Sequence, residues 1–270
     1  MFFEDRFIYF PSKYPEGMWE VEKLRAGKVQ GTPIIEDAWF QTEDGVRLHG
    51  WYCTPQGNEA DDPSIVPTLL WFHGNAGNIT HRFEMIQRLV QLPARVFIID
   101  YRGYGRSEGS PSEQGLYMDA RAAWDYLVNI RGTPAGKIVI FGDSLGGAVA
   151  IDLATKVGAA GLIVQSGFTS IADMAAQVMP FIPTFIVRTK MDSINKIGSV
   201  RCPKLFIHSP EDEMVPYHLG RRLYDAASAP KHFYEVAGAS HNEMDIVGGR
   251  AYFDAIGSFV QDCAPDSTTQ

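Results

Sequence analysis

Apolar and polar positions change period several times along the chain. "DAWFQTEDGVRLHGWYCTP" (37–55) sets two strand-like runs on either side of Asp44-Gly45, a dipeptide that predicts the turn of a β-hairpin. The polar "QGNEADDPS" (56–64) then reads as a loop. "TLLWFHG" is a continuous apolar run of the kind a fully buried strand requires, and "NITHRFEMIQRLVQ" after it has apolar residues at helical spacing. The alternation goes on: "ARVFIIDY" as strand, "SEQGLYMDARAAWDYLVNI" as helix, "KIVIFG" as strand, "SLGGAVAIDLATKV" as helix, "GLIVQSG" as strand. Such a β-α-β series predicts an α/β fold with parallel strands.

After Phe168 the alternation lapses from Thr169 to Arg201, and "PKLFIHS" and "KHFYEV" then supply two more strands. The lapse is expected to be a cap inserted into the fold at 169–201. It holds "MAAQVMPFIPTFIV", which Pro180 and Pro183 keep from being one helix. Its Met174, Met179, Phe181, Ile182 and Phe185 are either packed core or the apolar wall of a substrate pocket. The organisation expected is an N-terminal aromatic segment (1–36) packed on the core, a main domain (37–262) and a short polar tail (263–270).

Composition narrows the class. With 270 residues, 45% of them hydrophobic, the chain can bury a full core. Its net charge of −8 and lack of clustered Lys and Arg argue against nucleic acid as a partner. Cys53, Cys202 and Cys263 are too few and too scattered for a disulfide framework or a zinc site, which fits a reducing, cytoplasmic setting. "MFFEDRFIYFPSKYP" is broken by Glu4, Asp5 and Arg6 well short of the ~20 apolar residues of a membrane span, and it lacks the features of a secretory signal. It is expected to pack its aromatics on the domain surface, with contact to a membrane surface as the alternative.

Two stretches spell G-x-S-x-G: "GRSEG" at 105–109 and "GDSLG" at 142–146. Ser107 follows "IIDYRGYGR" and precedes Pro111, so it belongs to a glycine-rich loop with no helix at hand. Ser144 stands between the run "KIVIF" and a helical pattern, where the chain must turn sharply from strand into helix. That is the setting of a nucleophile elbow. Gly142 and Gly146 remove side chains that would clash across the turn, and the helix N-terminus brings positive partial charge to a developing oxyanion. Asp143, between Gly142 and Ser144, has no evident chemical role.

A serine hydroxyl needs a base, and the base an orienting acid. His241, in the small-residue loop "GASHNE", is the expected base, and His208, at a strand end, is its main competitor. His49, His81, His218 and His232 read as surface or packing residues. Asp212 in "HSPEDEMVP" is the expected acid, since its loop leaves the sheet beside the strand leading to His241. Ser144, Asp212 and His241 stand in the chain order nucleophile, acid, histidine. "WFHGNAGN" (71–78) is expected to aim the Asn75 N–H at the oxyanion, with Leu145 as the second donor and Ala76 as the alternative to Asn75. His73 would support that loop.

Taken together, "HGNAGN", "DYRGYGRSEG", "GDSLGG", "PEDEMVP" and "GASHNE" resemble the α/β-hydrolase fold family over roughly residues 37–262. More narrowly they resemble its serine-aminopeptidase-like branch, which includes the hydrolase-domain proteins that remove palmitate from cysteine and their bacterial relatives. The resemblance implies an eight-stranded, mostly parallel sheet with helices on both faces, a short cap after the sixth strand, and neither metal nor organic cofactor. Members often carry an N-terminal membrane anchor or acylated cysteines, whereas this sequence opens on the aromatic strip. Aminopeptidase members need acidic groups to hold a substrate ammonium, and no such group can be assigned to the cap. The leading reading is thus a serine hydrolase that cleaves carboxylic esters or thioesters of small-molecule or lipid-like acyl substrates, with short to medium apolar acyl groups, through an acyl-enzyme. An aminopeptidase or amidase of the same fold is one alternative, and a non-catalytic binding protein is the other.

Overall fold

Every run read above as a strand forms a strand of one eight-stranded sheet in the computed structural model, which describes residues 4–20, 33–55, 66–178 and 187–264. The strands are β1 (Ile34–Gln41), β2 (Arg47–Thr54), β3 (Thr68–Phe72), β4 (Arg95–Asp100), β5 (Ile138–Asp143), β6 (Gly161–Gln165), β7 (Lys204–His208) and β8 (Lys231–Glu235). Across the sheet they run β8-β7-β6-β5-β3-β4-β2-β1. The hairpin β1–β2 is antiparallel and joins β4 antiparallel through β2, while all the other pairs are parallel. Gly45 adopts φ 83° at the hairpin turn, a conformation that glycine takes without a Cβ penalty. The loop 56–64 lies outside the described residues.

The central strands are buried on both faces, which is why they read as apolar runs without alternation. Successive residues still point to opposite sides. Leu70, Phe72, Phe97, Ile99 and Ile140 enter one core, with α2 (Glu113–Asp125), α3 (Leu145–Ala154) and α6 (Tyr217–Ala226). Leu69, Trp71, Val96, Ile98, Val139 and Phe141 enter the other, with α1 (Phe83–Leu89) and α7 (Met244–Cys263). All ten residues of α3 are buried. Helix α7 is broken at Gly249, with φ 52° and ψ −138°.

The lapse at 169–201 contains α4 (Ile171–Val178) and α5 (Ser193–Ile197). Met174 on α4 is half-buried against the core. Met179, Phe181, Ile182 and Phe185 lie outside the described residues, as does the tail 265–270.

The N-terminal segment is a strap. Phe10–Pro11 pairs in parallel with Ala76–Gly77, so a two-stranded ribbon joins it to the loop after β3. Tyr9 and Trp19 are buried, whereas Phe7, Phe10, Tyr14 and Met18 face solvent. The Glu4 carboxylate accepts the N–H groups of Arg188 (3.0 Å) and Thr189 (2.7 Å), so the strap also reaches the segment that returns from the cap.

Candidate active site

Strand β3 lies between β4 and β5, so the chain reverses its direction of travel across the sheet there. Crevices at the carboxyl ends of strands beside such a reversal are where open α/β sheets bind ligands. The end of β3 carries His73-Gly74-Asn75, and the end of β5 carries Asp143-Ser144.

Ser144 holds φ 52° and ψ −116°, a strained conformation for a residue with a side chain, and it sits directly before α3. Two absent side chains make the turn feasible. A Cβ on Gly146 would lie 1.9 Å from the Phe72 carbonyl oxygen, and one on Gly142 would lie 2.3 Å from the Gly146 oxygen. The N–H of Ser144 donates to Gln165 O at 2.9 Å, which fixes the elbow to β6. Ser107, in contrast, is a buried loop staple. Its hydroxyl donates to Asp100 O at 2.7 Å and accepts the His49 N–H at 2.9 Å. Gly103, Gly105 and Gly109 around it all have positive φ, as the turn reading requires.

Asp212 and His241 meet directly: His241 Nδ1 lies 2.9 Å from each Asp212 carboxylate oxygen. That contact puts the proton of a neutral ring on Nδ1 and leaves the Nε2 lone pair as base. Asp212 also accepts the N–H groups of Met214 (3.0 Å) and Val215 (2.8 Å), and Glu213 accepts the N–H of His241 at 3.0 Å. Burial would raise the Asp212 carboxyl, but His208, His241 and the Val215 N–H hold it well below the usual carboxylate range. For His241, burial would lower the imidazole; the Asp212 hydrogen bond and the charges of Asp143, Asp212 and Glu213 outweigh it and raise it above 6.5.

His208 is 1% exposed. Its Nε2 donates to Val215 O at 3.0 Å and stands 3.4 Å from Asp212 Oδ2, so it supports the acid's loop from below the surface. Its Nδ1 packs against α6, where a Cβ on Gly220 would come within 2.0 Å.

The loop after β3 is aimed by His73. Burial, with the Arg82 charge adding to it, pushes this imidazole down to about 3, so it is neutral. Its Nδ1–H donates to Gly74 O at 2.7 Å. The carbonyl and N–H of one trans peptide point opposite ways, so holding Gly74 O toward His73 turns the Asn75 N–H away from it. Asn75 O is fixed by the Phe10 N–H (3.0 Å) and the Tyr104 hydroxyl (2.8 Å), and its side chain donates to Ile8 O at 3.1 Å. A Cβ on Gly74 would stand 3.8 Å from Ser144 Cβ, so the loop borders the serine. Leu145, in the first turn of α3, has no acceptor for its N–H within the helix. Sequence reasoning missed the strap's part in this loop. Asn75 reads only as an oxyanion donor and Asn78 only as the start of a helical run, yet Asn78 Nδ2 ties to Ser12 O (3.2 Å) and Glu16 O (2.9 Å).

Among the described residues no group of three or more His, Cys, Asp or Glu side chains is placed to hold a metal ion. No helix among them is long and apolar enough to cross a membrane.

A family model described as serine aminopeptidase, S33, matches residues 64–194. The α/β-hydrolase domain-containing protein WAV2 of Arabidopsis thaliana is 38% identical over 255 residues, covering 86% of this chain and 80% of that protein. The chain belongs to the α/β-hydrolase family. Protein bem46 of Schizosaccharomyces pombe is 36% identical over 264 residues, covering 94% of this chain and 84% of its own. Among solved structures, the Pyrococcus furiosus esterase Pf2001 matches with a TM-score of 0.74 at 19% identity, over 94% of this chain and 98% of that one; the likeness is one of fold. Family and fold together support an α/β hydrolase, an enzyme of the hydrolase class.

Proposed function

We propose that this α/β hydrolase is a serine hydrolase that cleaves carboxylic esters or thioesters through an acyl-enzyme, with short to medium apolar acyl groups. The observation that carries the reading is the Asp212–His241 pair at the sheet edge where the strained Ser144 leaves β5. In this mechanism Ser144 Oγ attacks the acyl carbonyl while His241 Nε2 takes its proton. The N–H groups of Asn75 and Leu145 hold the oxyanion. The bond to the alcohol or thiol then breaks, and His241 gives that leaving group its proton. A water molecule, deprotonated by His241, attacks the acyl-enzyme, and its proton returns to Ser144 as the acid departs. His208 is a poor rival for the base, because its Nε2 is committed to Val215 and its ring is buried.

A fluorophosphonate probe tests the nucleophile. It should label the native protein and the Ser107→Ala variant, and fail on Ser144→Ala; labelling of Ser144→Ala at the native rate would overturn the mechanism. Because the matching family model is named for a serine aminopeptidase, turnover should be compared on p-nitrophenyl esters, acyl thioesters and aminoacyl amides. Faster turnover of the amides would replace the ester reading with an aminopeptidase one.

The acyl group is taken to lie against the cap residues Met174, Met179, Phe181, Ile182 and Phe185. Each buried methylene then contributes up to about 0.8 kcal/mol, so kcat/KM should rise with chain length until the pocket is full. Phe181→Ala or Phe185→Ala should shift that preference while acetate esters are still turned over. An unchanged length profile would make these residues packing groups only.

A further inference from the structure

The glycine-rich stretch after β4 carries two tyrosines whose hydroxyls leave their own loop for the one after β3. Tyr101-Arg102-Gly103-Tyr104 is a tight turn: the Tyr104 N–H donates to Tyr101 O at 2.9 Å, and Gly103 takes φ 81°, as a type II turn requires of its third position. Asp119 on α2 clamps the turn, accepting the Arg102 N–H at 2.8 Å and its Nε–H at 2.7 Å. The two phenol rings stand with centroids 5.6 Å apart, and the His73 ring completes the cluster at 4.7 Å from Tyr101 and 5.6 Å from Tyr104. All three side chains are fully buried.

The Tyr101 hydroxyl donates to His73 O at 2.9 Å and the Tyr104 hydroxyl to Asn75 O at 2.8 Å, while His73 Nδ1–H holds the carbonyl between them, Gly74 O, at 2.7 Å. Three successive carbonyls are thus fixed on one aromatic cluster. In a trans peptide the N–H points opposite to the carbonyl, so the N–H groups of Gly74, Asn75 and Ala76 are turned away from these donors. The loop borders the nucleophile, since a Cβ on Gly74 would stand 3.8 Å from Ser144 Cβ. Burial pushes both phenols up, so each keeps the proton it donates. His73 by itself reaches only Gly74 O, and its ring rests against the two phenols.

We propose that Tyr101 and Tyr104 are positioning residues for the oxyanion donors: by holding the carbonyls on either side of Gly74, their hydroxyls keep the N–H groups of this loop aimed at the place where the oxyanion forms beside Ser144. Neither phenol touches substrate, and neither gives up its proton. The inference rests on the serine-hydrolase reading, and it gives the stretch around Ser107 a part in the reaction that Ser107 itself does not have. Donors fixed in advance stabilise charge that develops only in the transition state. Loosening them should therefore slow turnover without weakening the binding of substrate.

Tyr104→Phe and Tyr101→Phe test it, since each removes one hydroxyl and keeps the ring. Each should lower kcat about tenfold, less than the roughly 100-fold that outright loss of an oxyanion donor costs, with KM within about twofold of native. Affinity for a boronic acid, whose adduct on Ser144 carries a tetrahedral oxyanion, should fall by the same factor, while an ether analogue without the carbonyl should bind as before. In the resting protein, NMR order parameters of the Gly74, Asn75 and Ala76 amides should drop below those of rigid backbone. If both folded variants keep the native kcat, boronate affinity and loop order, the phenols only fill the core and the proposal falls. Loss of kcat with an equal loss of ether binding would likewise assign them to packing and overturn it. Should one variant fail to fold, the other is read by the same measurements, because each hydroxyl holds its own carbonyl. Turnover by Ser144→Ala would instead overturn the serine-hydrolase reading, while the order parameters still report whether the phenols hold the loop.

Discussion

Gly146→Ala probes the elbow where it has least room. A Cβ at this position would lie 1.9 Å from the Phe72 carbonyl oxygen, 2.5 Å from the Phe72 carbonyl carbon and 2.8 Å from His73 O. All three are main-chain atoms of the β3 exit, so no side chain can rotate out of the way. A carbon-to-oxygen contact relaxes only near about 3.3 Å, and α3 and the β3 end must therefore separate by about 1.4 Å. The movement reaches both members of the proposed oxyanion pair, Leu145 on the helix and Asn75 two residues past His73. A misplacement of about 1 Å costs on the order of 100-fold in turnover, so kcat should drop at least that far. Overpacking against backbone should cost about 3 kcal/mol, which lowers the melting midpoint by about 6–12 °C for a domain of this size. Gly147→Ala is the matched control. Its Cβ would meet a Val164 methyl at 3.3 Å and nothing else closer than 3.8 Å, so stability should stay within about 1 kcal/mol of native. Thermal unfolding and ester turnover on the two variants decide the matter. A Gly146→Ala protein that melts with the native one and keeps its kcat would refute the claim that close backbone approach sets this turn.

The other predictions address the remaining groups. His241→Ala should cost roughly 10⁶-fold in turnover and Asp212→Asn roughly 10⁴-fold, since the acid acts through the base; an inactive, folded His208→Ala beside an active His241→Ala would reverse the base assignment. Ser107→Ala should keep its turnover but lose about 2 kcal/mol in urea unfolding, because the buried His49 N–H is left without its 2.9 Å acceptor; native stability would contradict this. His49 should make stability depend on pH. Burial alone would lower its pKa, but Asp100 at 3.4 Å and Asp37 at 2.8 Å raise it above 6.5. A folded-state pKa above the unfolded one gives stability that is complete below about pH 6.5 and is lost as pH rises through the folded value. Urea midpoints from about pH 5.5 to 9 should therefore show a decline that His49→Gln lacks, and parallel curves would refute the linkage.

The parts of the fold that were legible are those in which one residue type answers one local demand. "KIVIF" followed by "GDSLGG" announces a buried strand that turns into a helix, because only glycines at 142 and 146 let α3 lie against the β3 exit. "IIDYRGYGRSEG" announces a loop by its glycines, and Gly103, Gly105 and Gly109 take positive φ there. Helix α7 was not legible. Gly248-Gly249 and the charges of Asp245, Arg250 and Asp254 obscure a buried face whose Tyr252, Ile256, Phe259 and Val260 become regular only after the break at Gly249. The strap was hidden for a different reason. Its grip on the loop after β3 is made by main-chain groups of Ile8, Phe10, Ser12 and Glu16, which any residue but proline could supply at a donor position. The side chains that complete the grip, Asn75 and Asn78, are those that turns also favour, so they carry no mark of a distant partner. Composition and periodicity report what a residue does for its own segment. What the strap does for Asn75 is set by the pairing of Phe10–Pro11 with Ala76–Gly77, a ribbon apart from the main sheet that brings together positions about 66 residues apart in the chain.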